Sequence, residues 1–441
     1  MSKQTSALSF RPHLQTQNGH LTIDGVQCEK LANQYGTPLY VVSEPRIRCN
    51  YRSFNEALLK LYKNVLVCPA VKANSHLAVL RTYKAEGAGA EGVSPAELRF
   101  ALDAGFDPAK IIYNGPVKKR EDLEFAISSD IGLINADSLL ELDRMQEAAE
   151  HVRKRCNVGI RINLGIESET HPHLATASRE HKFGIWVEDA VEAYRVASRK
   201  SMLNIIGFHS HIGSNITQPY TFRDMTEKIL RIVKEVNEAT GMRLKKVDIG
   251  GGLGFPYQPG SQSMSYEEYA SAVLNDEIDA LKELGEPTLI FEPGRAIVAD
   301  AGILLTRVEV VKRQGTVNWG IVDAGMNTFI RPALYGAQHQ VLVANKPSEP
   351  PSETYDLGGP CCESGDVIGK SVSLPRLVQG DVLAVLDVGA YGFSMSSNYN
   401  GQPRPAVVMT NDQEVQLVRR RETYEDLVAG EMIPAHLAQV T

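Results

Sequence analysis

Bulk composition says little beyond what it leaves out. In a chain of 441 residues with a formal charge of −7, no basic cluster stands out beyond "RRRE" at Arg419. That argues against nucleic acid or an anionic membrane surface as the main partner. The opening "MSKQTSALSF" has no apolar core of the kind a signal peptide carries, and every apolar run is interrupted before it reaches spanning length. The expectation is a cytoplasmic protein with no membrane partner. Six cysteines, at 28, 49, 68, 156, 361 and 362, do not make a disulfide framework in so long a chain, and none forms a CxxC. Internal repeats, low-complexity tracts and long linkers are missing too. The length is enough for one large domain plus a second, and 43% apolar residues allow a sizeable core.

What is present is an ordered series of short β-rich runs: "NVLVCPAVKAN", "GAGAEGVSP", "KIIYNGP", "IGLINADS", "VGIRINLG", "NIIGFHSH", "KKVDIGGGLG" and "PTLIFEPGR". Amphipathic helical patterns such as "AELRFALDAGF" and "FRDMTEKILRIVKEVNEAT" separate most of them. Continuous apolar strands alternating with helices predict a parallel sheet, and eight units predict a (β/α)8 TIM-like barrel over residues 38–297. After about residue 297 the helices thin out and hairpins take over, one with a turn at Asn411-Asp412. The early "QTQNGHLTIDG" also reads as a hairpin, around Asn18-Gly19. Residues 1–37 and 298–441 are therefore expected to form an all-β domain, a sandwich or barrel, completing the site.

Unusual residues fall at the carboxyl ends of the predicted strands: Lys72, His209, His211, Gly250 to Gly252, Glu292 and Arg295. That rim is where barrel enzymes build their sites. Lysine at the end of a buried strand is either a surface side chain with a long stem or an amine poised for Schiff-base chemistry. "DIGGGLG" leaves bare N–H groups at a helix start, suited to phosphate. "HSHIGSN" resembles half of a barrel-hydrolase metal site, but the later His and terminal Asp such sites need are not evident, so no metal is assigned. "FEPGR" sets a carboxylate three residues before an arginine, which alone could be a structural ion pair. Amine, phosphate cradle, flat His and carboxylate together fit one cofactor, pyridoxal 5′-phosphate (PLP). A carboxylate against its pyridine nitrogen keeps the ring able to accept electrons.

With those residues assembled, the chain resembles the barrel-type (fold type III) PLP-dependent decarboxylases, and most closely the diaminopimelate decarboxylase branch. The resemblance runs in order through "YGTPLYVVSE", "AVKANSH", "HPHLATASREHKFGI", "FHSHIGSN", "VDIGGGLG", "FEPGRAIVADAG", "RPALYGAQH", "GPCCESGD" and "GAYGFSMSSNYN". It implies that Lys72 carries PLP, His211 stacks on the cofactor and Glu292 holds the pyridine nitrogen. Ser214, Gly250, Gly251, Gly252 and Tyr391 would lie around the phosphate, with Arg295 serving either phosphate or substrate carboxylate. It implies also that Cys362 reaches the partner subunit's site in a homodimer and delivers a proton after carbon dioxide leaves, while Glu363 binds the substrate's far ammonium. Cys361 has no assigned role.

Arg331 and Tyr335, four apart around Pro332, would share a face of a helical turn. An arginine fork with a phenol suits a distal carboxylate, which meso-diaminopimelate has and lysine or ornithine lacks. The expected reaction is decarboxylation of meso-diaminopimelate to L-lysine, with a sister decarboxylase of another amino acid as the alternative. Glu91, where the family usually carries Asp, "YNGPVKK" and Thr328 depart from the commonest pattern. A non-catalytic PLP-binding protein and a racemase on the same barrel are the competing classes. Lys72 and Cys362 argue against the first, and the "CESGD" to "GAYGF" segment against the second.

Overall fold

In the computed structural model, residues 8, 10–166, 181–258, 260–261 and 263–437 are described. The family-like stretch "HPHLATASREHKFGI" lies outside them as far as Glu180. The chain divides into two compact units. One is Arg46–Ala301 with Gly389–Tyr391; the other is Met1–Pro45 with Gly302–Val388 and Gly392–Thr441.

The first unit is the barrel. Its strands are Val65–Val67, Ala90–Gly92, Ile111–Tyr113, Leu133–Ala136, Cys156–Asn163, Leu203–His209, Lys246–Asp248 and Thr288–Phe291, the eight runs read from the sequence. From the second strand onward each pairs in parallel with the next in chain order, and the last returns to the first. Between the first and second strands, closure comes from Gly89 N–H donating to the Val67 carbonyl at 2.9 Å and from a parallel bridge of Ala70 with Glu91. Cys68, Ile112, Leu133 and Ile290 fill the interior as a dry cluster.

Helices follow where the sequence has both an apolar stripe and a start signal. Ser94 accepts from Glu97 N–H with Pro95 in the first turn, and Ser138 accepts from Glu141 N–H. The longest helix, Pro219–Thr240, buries Phe222, Met225, Ile229, Val233 and Val236, a 3.6-residue stripe, and stops at Gly241 in the left-handed region. No helix among the described residues is long and apolar enough to cross a membrane.

The second unit is β-rich and organised on one long strand, Gly302–Gln314. Its first half pairs antiparallel with Leu39–Ser43 on one side and Val382–Val385 on the other; its second half pairs with Val317–Val322. Ala406–Asn411 lies parallel to Leu39–Ser43. The division therefore falls at Pro45 and Ala301, not at 37 and 297. "LYVVS" is buried at all five positions, so by its pattern it reads like a barrel strand, and only its pairing places it in the β sheet.

Both predicted hairpins form. The first joins Leu14–Gln17 to His20–Ile23 through Asn18 and Gly19, both with positive φ, as a two-residue primed turn requires. In the second, Asn411 pairs with Glu414, so the turn residues are Asp412 and Gln413, one position later than expected. Arg11, fully buried, donates to Asp387 at 2.8 Å and to Gln340 at 3.0 Å, stapling the N-terminal segment to this unit. Breaking such a dry pair costs roughly 3–5 kcal/mol.

Candidate active site

The barrel rim collects the polar strand ends. Beyond the first strand, a short turn, Val71–Ala73, carries Lys72. The bridge of Ala70 with Glu91 brings the second strand alongside, and Lys72 Nζ donates to Glu91 Oε2 at 2.6 Å. About two-fifths of the Lys72 side chain, 41%, stays accessible, so the amine can meet an incoming carbonyl compound. Burial would lower its pKa, but the charges of Glu91, Tyr391 and Glu292 outweigh that and raise it. Burial pushes the Glu91 carboxyl up to about 7, Lys72 opposing and Glu292 adding to the rise.

On the far side of the rim, a register shift at Gly207 leaves His209 level with Asp248 and Arg161 on the adjacent strands. Glu292 follows the last strand and is almost fully buried. Burial alone would raise its carboxyl; His209, Lys72 and Asp248 outweigh it and hold the group at about 2. Asp248, fully buried, goes the other way: desolvation and the neighbouring Glu292 charge push it well above the carboxylate range. Of the two acids, one is ionised and the other keeps its proton. His209, Asp248 and Glu292 offer atoms within 4.8 Å of one another, a spacing a cation could use. His209 Nε2 stops 3.7 Å from Glu292, and neither ring nitrogen has a hydrogen-bond partner among the described residues.

The glycine loop explains its own composition. Gly250 and Gly252 have φ of 70° and 117°, and a Cβ on Gly251 would lie 2.2 Å from the Glu292 carbonyl oxygen. Gly251 N–H donates to His211 Nδ1 at 3.2 Å. An N–H donor requires a lone pair at Nδ1, so the His211 ring is neutral there, in keeping with burial and Arg161 depressing its pKa to about 3. A neutral, flat imidazole suits stacking on a ring.

At the adjoining strand ends, Arg295 donates to the Tyr257 hydroxyl at 2.6 Å and to Ser214 Oγ at 3.4 Å. Its guanidinium carbon lies 5.2 Å from the Tyr391 ring centroid. Tyr391 is held in a left-handed conformation, φ 57°, with its N–H on the Ala73 carbonyl at 2.8 Å. A guanidinium with two hydroxyls beside it suits an anionic phosphate. The whole set fits PLP: an accessible amine for the aldehyde, an ionised dry carboxylate for the pyridine nitrogen, a neutral ring to stack and a cradle for the phosphate.

Of the residues singled out in the sequence, Lys72, His211, Ser214, Gly250 to Gly252, Glu292, Arg295 and Tyr391 all lie in the barrel unit. Arg331, Tyr335, Cys362 and Glu363 lie in the other. There, Arg331–Tyr335 is a short helix with Pro332 in its first turn. Arg331 is buried, with Nη1 3.1 Å from His339 Nε2, and His339 Nδ1 is 2.8 Å from the Leu386 carbonyl. A carbonyl only accepts, so Nδ1 carries the proton and Nε2 accepts from Arg331. Cys362 and Glu363 are exposed, on a loop shaped by Asp366, which accepts from Cys361 N–H at 2.6 Å. Asn400 Oδ1 accepts from Cys362 N–H at 2.9 Å, and the Tyr399 hydroxyl donates to Glu363 at 3.4 Å. Cys361 is buried against Asn327 Oδ1 at 3.4 Å, and burial and Asp366 raise its thiol.

Asn114, Asn135, Asp248, Tyr257, His339 and Asp366 escaped sequence reasoning. Asp248 directly precedes the glycine run and Asp366 closes "GPCCESGD", so both stood next to a recognised signal; the asparagines look like ordinary turn formers.

Comparison with known proteins adds lineage to this geometry. The profile for the pyridoxal-dependent decarboxylase family, pyridoxal binding domain, matches residues 46–299. The diaminopimelate decarboxylase of Methanothermobacter thermautotrophicus is 44% identical over 421 residues, 95% of this chain and 97% of that protein. That of Pseudomonas aeruginosa is 41% identical, covering 94% and 98%. The crystal structure of the Methanocaldococcus jannaschii diaminopimelate decarboxylase superposes with a TM-score of 0.92 at 38% identity, covering 97% of this chain and 99% of that one. A second structure of that protein, in complex with L-lysine, gives 0.91 at the same identity over 96% of this chain and 98% of that one.

Proposed function

The chain belongs to the pyridoxal-dependent decarboxylases, in the diaminopimelate decarboxylase branch, and on that premise we propose that it decarboxylates meso-2,6-diaminopimelate at its D-centre, giving L-lysine and carbon dioxide. Its cofactor is PLP. The observation that carries the substrate assignment is buried Arg331, oriented by His339 on the helix that also bears Tyr335. Lysine and ornithine bring no distal carboxylate to such a fork, whereas meso-diaminopimelate does.

When bound, PLP accepts the electron pair left on the α-carbon as the carboxylate departs. Everything else falls to the protein. Lys72 would supply the amine that holds the cofactor's aldehyde carbon. Glu292, kept ionised, would hold the pyridine nitrogen, and the His211 ring, anchored by Gly251, would stack on the cofactor. Arg295 and Ser214 would hold the phosphate, with Tyr391 against the guanidinium. Cys362 delivers the proton that replaces the lost carboxylate, at the site of the partner subunit in a homodimer, and Glu363 beside it takes the substrate's distal ammonium. The exposed Cys362–Glu363 loop, braced by Asp366 and Asn400 instead of by a core, supports a role outside its own unit. Six free thiols support a reducing compartment, the cytoplasm.

The test is carbon dioxide release by the PLP-loaded protein from meso-diaminopimelate, D- and L-lysine, D- and L-ornithine and L-arginine. Expected is a preference for meso-diaminopimelate by at least about 10²-fold in kcat/KM. Equal or better turnover of a substrate without a distal carboxylate would overturn the assignment of Arg331 while keeping the reaction class.

A further inference from the structure

One buried amide sits between the two acids that matter most. Asn114 follows the strand Ile111–Tyr113 and is 4% exposed. Its Nδ2 donates to Glu292 Oε1 at 2.6 Å and to Glu91 Oε1 at 3.3 Å. Its Oδ1 accepts from Asn135 Nδ2 at 2.8 Å. Exchanging the amide's N and O would aim oxygen at two carboxylates and nitrogen at a donor, so the network admits one orientation. The loop is pinned from below by Lys118, fully buried, which donates to the Gly115 and Asn135 carbonyls at 2.8 Å each and to Glu141 at 2.9 Å. Lys118 thus ties the Asn114 loop to the strand that carries Asn135.

Two carboxylates drawn together in a dry place raise each other's proton affinity. A cation between them would relieve that but would also compete with Lys72 for Glu91. An amide supplies two donors from one atom and no charge. We propose that Asn114 is a positioning residue that couples the two ends of the cofactor site, holding the carboxylate paired with Lys72 and the carboxylate beside His209 through one shared amide. The proposal rests on the reading of Lys72 and Glu292 as cofactor-binding residues. Protonation of Glu91 then alters the donor available to Glu292, and the reverse. Charged and titratable groups facing Glu91 are Lys72, Glu292 and Glu97; those facing Glu292 are His209, Lys72 and Asp248, with Arg161 close to both acids.

The test is a pH titration of the visible absorbance of the PLP-loaded protein, wild type against Asn114→Ala, Asn114→Ser and Asn114→Asp. Loss of a donor to an ionised carboxylate raises its pKa, so the proton stays on to higher pH. The midpoint of the absorbance change should move up by about one pH unit in Asn114→Ala, less in Asn114→Ser, which keeps one donor, and further in Asn114→Asp, which adds a third acid. The acid limb of kcat/KM should move with it, for whichever substrate proves best. An absorbance that stays flat across the neutral range, or a midpoint unmoved in variants that retain cofactor, overturns the proposal, as does a loss of thermal stability alone. If Asn114→Ala fails to fold, Asn114→Ser carries the reading. Because the band reports bound cofactor, a failed substrate assignment leaves this result readable.

Discussion

Lys72→Ala should lower carbon dioxide release from meso-diaminopimelate by at least about 10⁴-fold, because enzymes of this kind supply accelerations of roughly 10⁶ or more and the covalent foothold of the cofactor is lost. Lys72 is well placed for that role. Its amine sits on a short turn at a strand end, 2.6 Å from Glu91, and two-fifths of the side chain is open to an entering aldehyde. Burial would make the amine easier to deprotonate, but the surrounding acids reverse this, so the amine enters as an ammonium paired with Glu91. Glu91, itself raised by burial, is the carboxylate that faces this amine. The variant should still fold, since alanine suits the turn and the Glu91 carboxyl can keep its proton when the ammonium is gone. Borohydride reduction followed by peptide mass spectrometry checks the mechanism separately from the rate. Wild type should gain a reduced pyridoxyl group on the peptide containing Lys72, and Lys72→Ala should gain none. A label on another lysine would move the cofactor's foothold.

Arg331→Met should raise KM for meso-diaminopimelate and lower kcat/KM by about 10³-fold, while kcat changes little. The distal carboxylate is far from the bond that breaks, so its pairing contributes equally to the bound substrate and to the transition state. Removing the guanidinium leaves a desolvated carboxylate facing His339, whose Nε2 offers a lone pair and no proton. Methionine fills a similar volume in a position that is already buried, so the fold should hold. The same variant should leave the weak turnover of L- or D-lysine unchanged, because neither brings a second carboxylate. An equal loss on all substrates would instead mark Arg331 as structural.

How much of this was legible before the structure depends on how each residue signals itself. The eight barrel strands were readable because each is a continuous apolar run that ends in something odd for a strand: a lysine, a His pair, three glycines, a carboxylate before proline. Lys72, His211, Gly250 to Gly252, Glu292 and Arg295 were readable as candidates for the same reason, each lying just past the carboxyl end of a barrel strand. Leu39–Ser43 fell inside the range 38–297 expected for the barrel, since a strand buried on both faces looks alike in a barrel and in a sheet; pairing with Gly302–Gln314 decides it. Asn114 and Asn135 were invisible because asparagine after a strand is also what an ordinary turn uses. Only the third dimension brings the Asn114 amide within reach of acids 23 and 178 residues away in sequence. Asp248 reads as a charge in the sequence and is a neutral acid in the fold, since desolvation by elements far along the chain sets its proton affinity. His339 was inside a quoted motif, yet its work on Arg331 depends on the Leu386 carbonyl, 47 residues on.

The central claim is that the carboxyl group leaves from the D-centre of meso-diaminopimelate and that a proton replaces it there. The most direct measurement is the reaction run in deuterium oxide, with carbon dioxide counted and the amino-acid product resolved by chiral chromatography and NMR. The account predicts L-lysine and carbon dioxide in equal amounts, with a single deuterium, in one configuration, on the carbon that lost its carboxylate. D-lysine as product, or deuterium entering unreacted substrate without release of carbon dioxide, would contradict it.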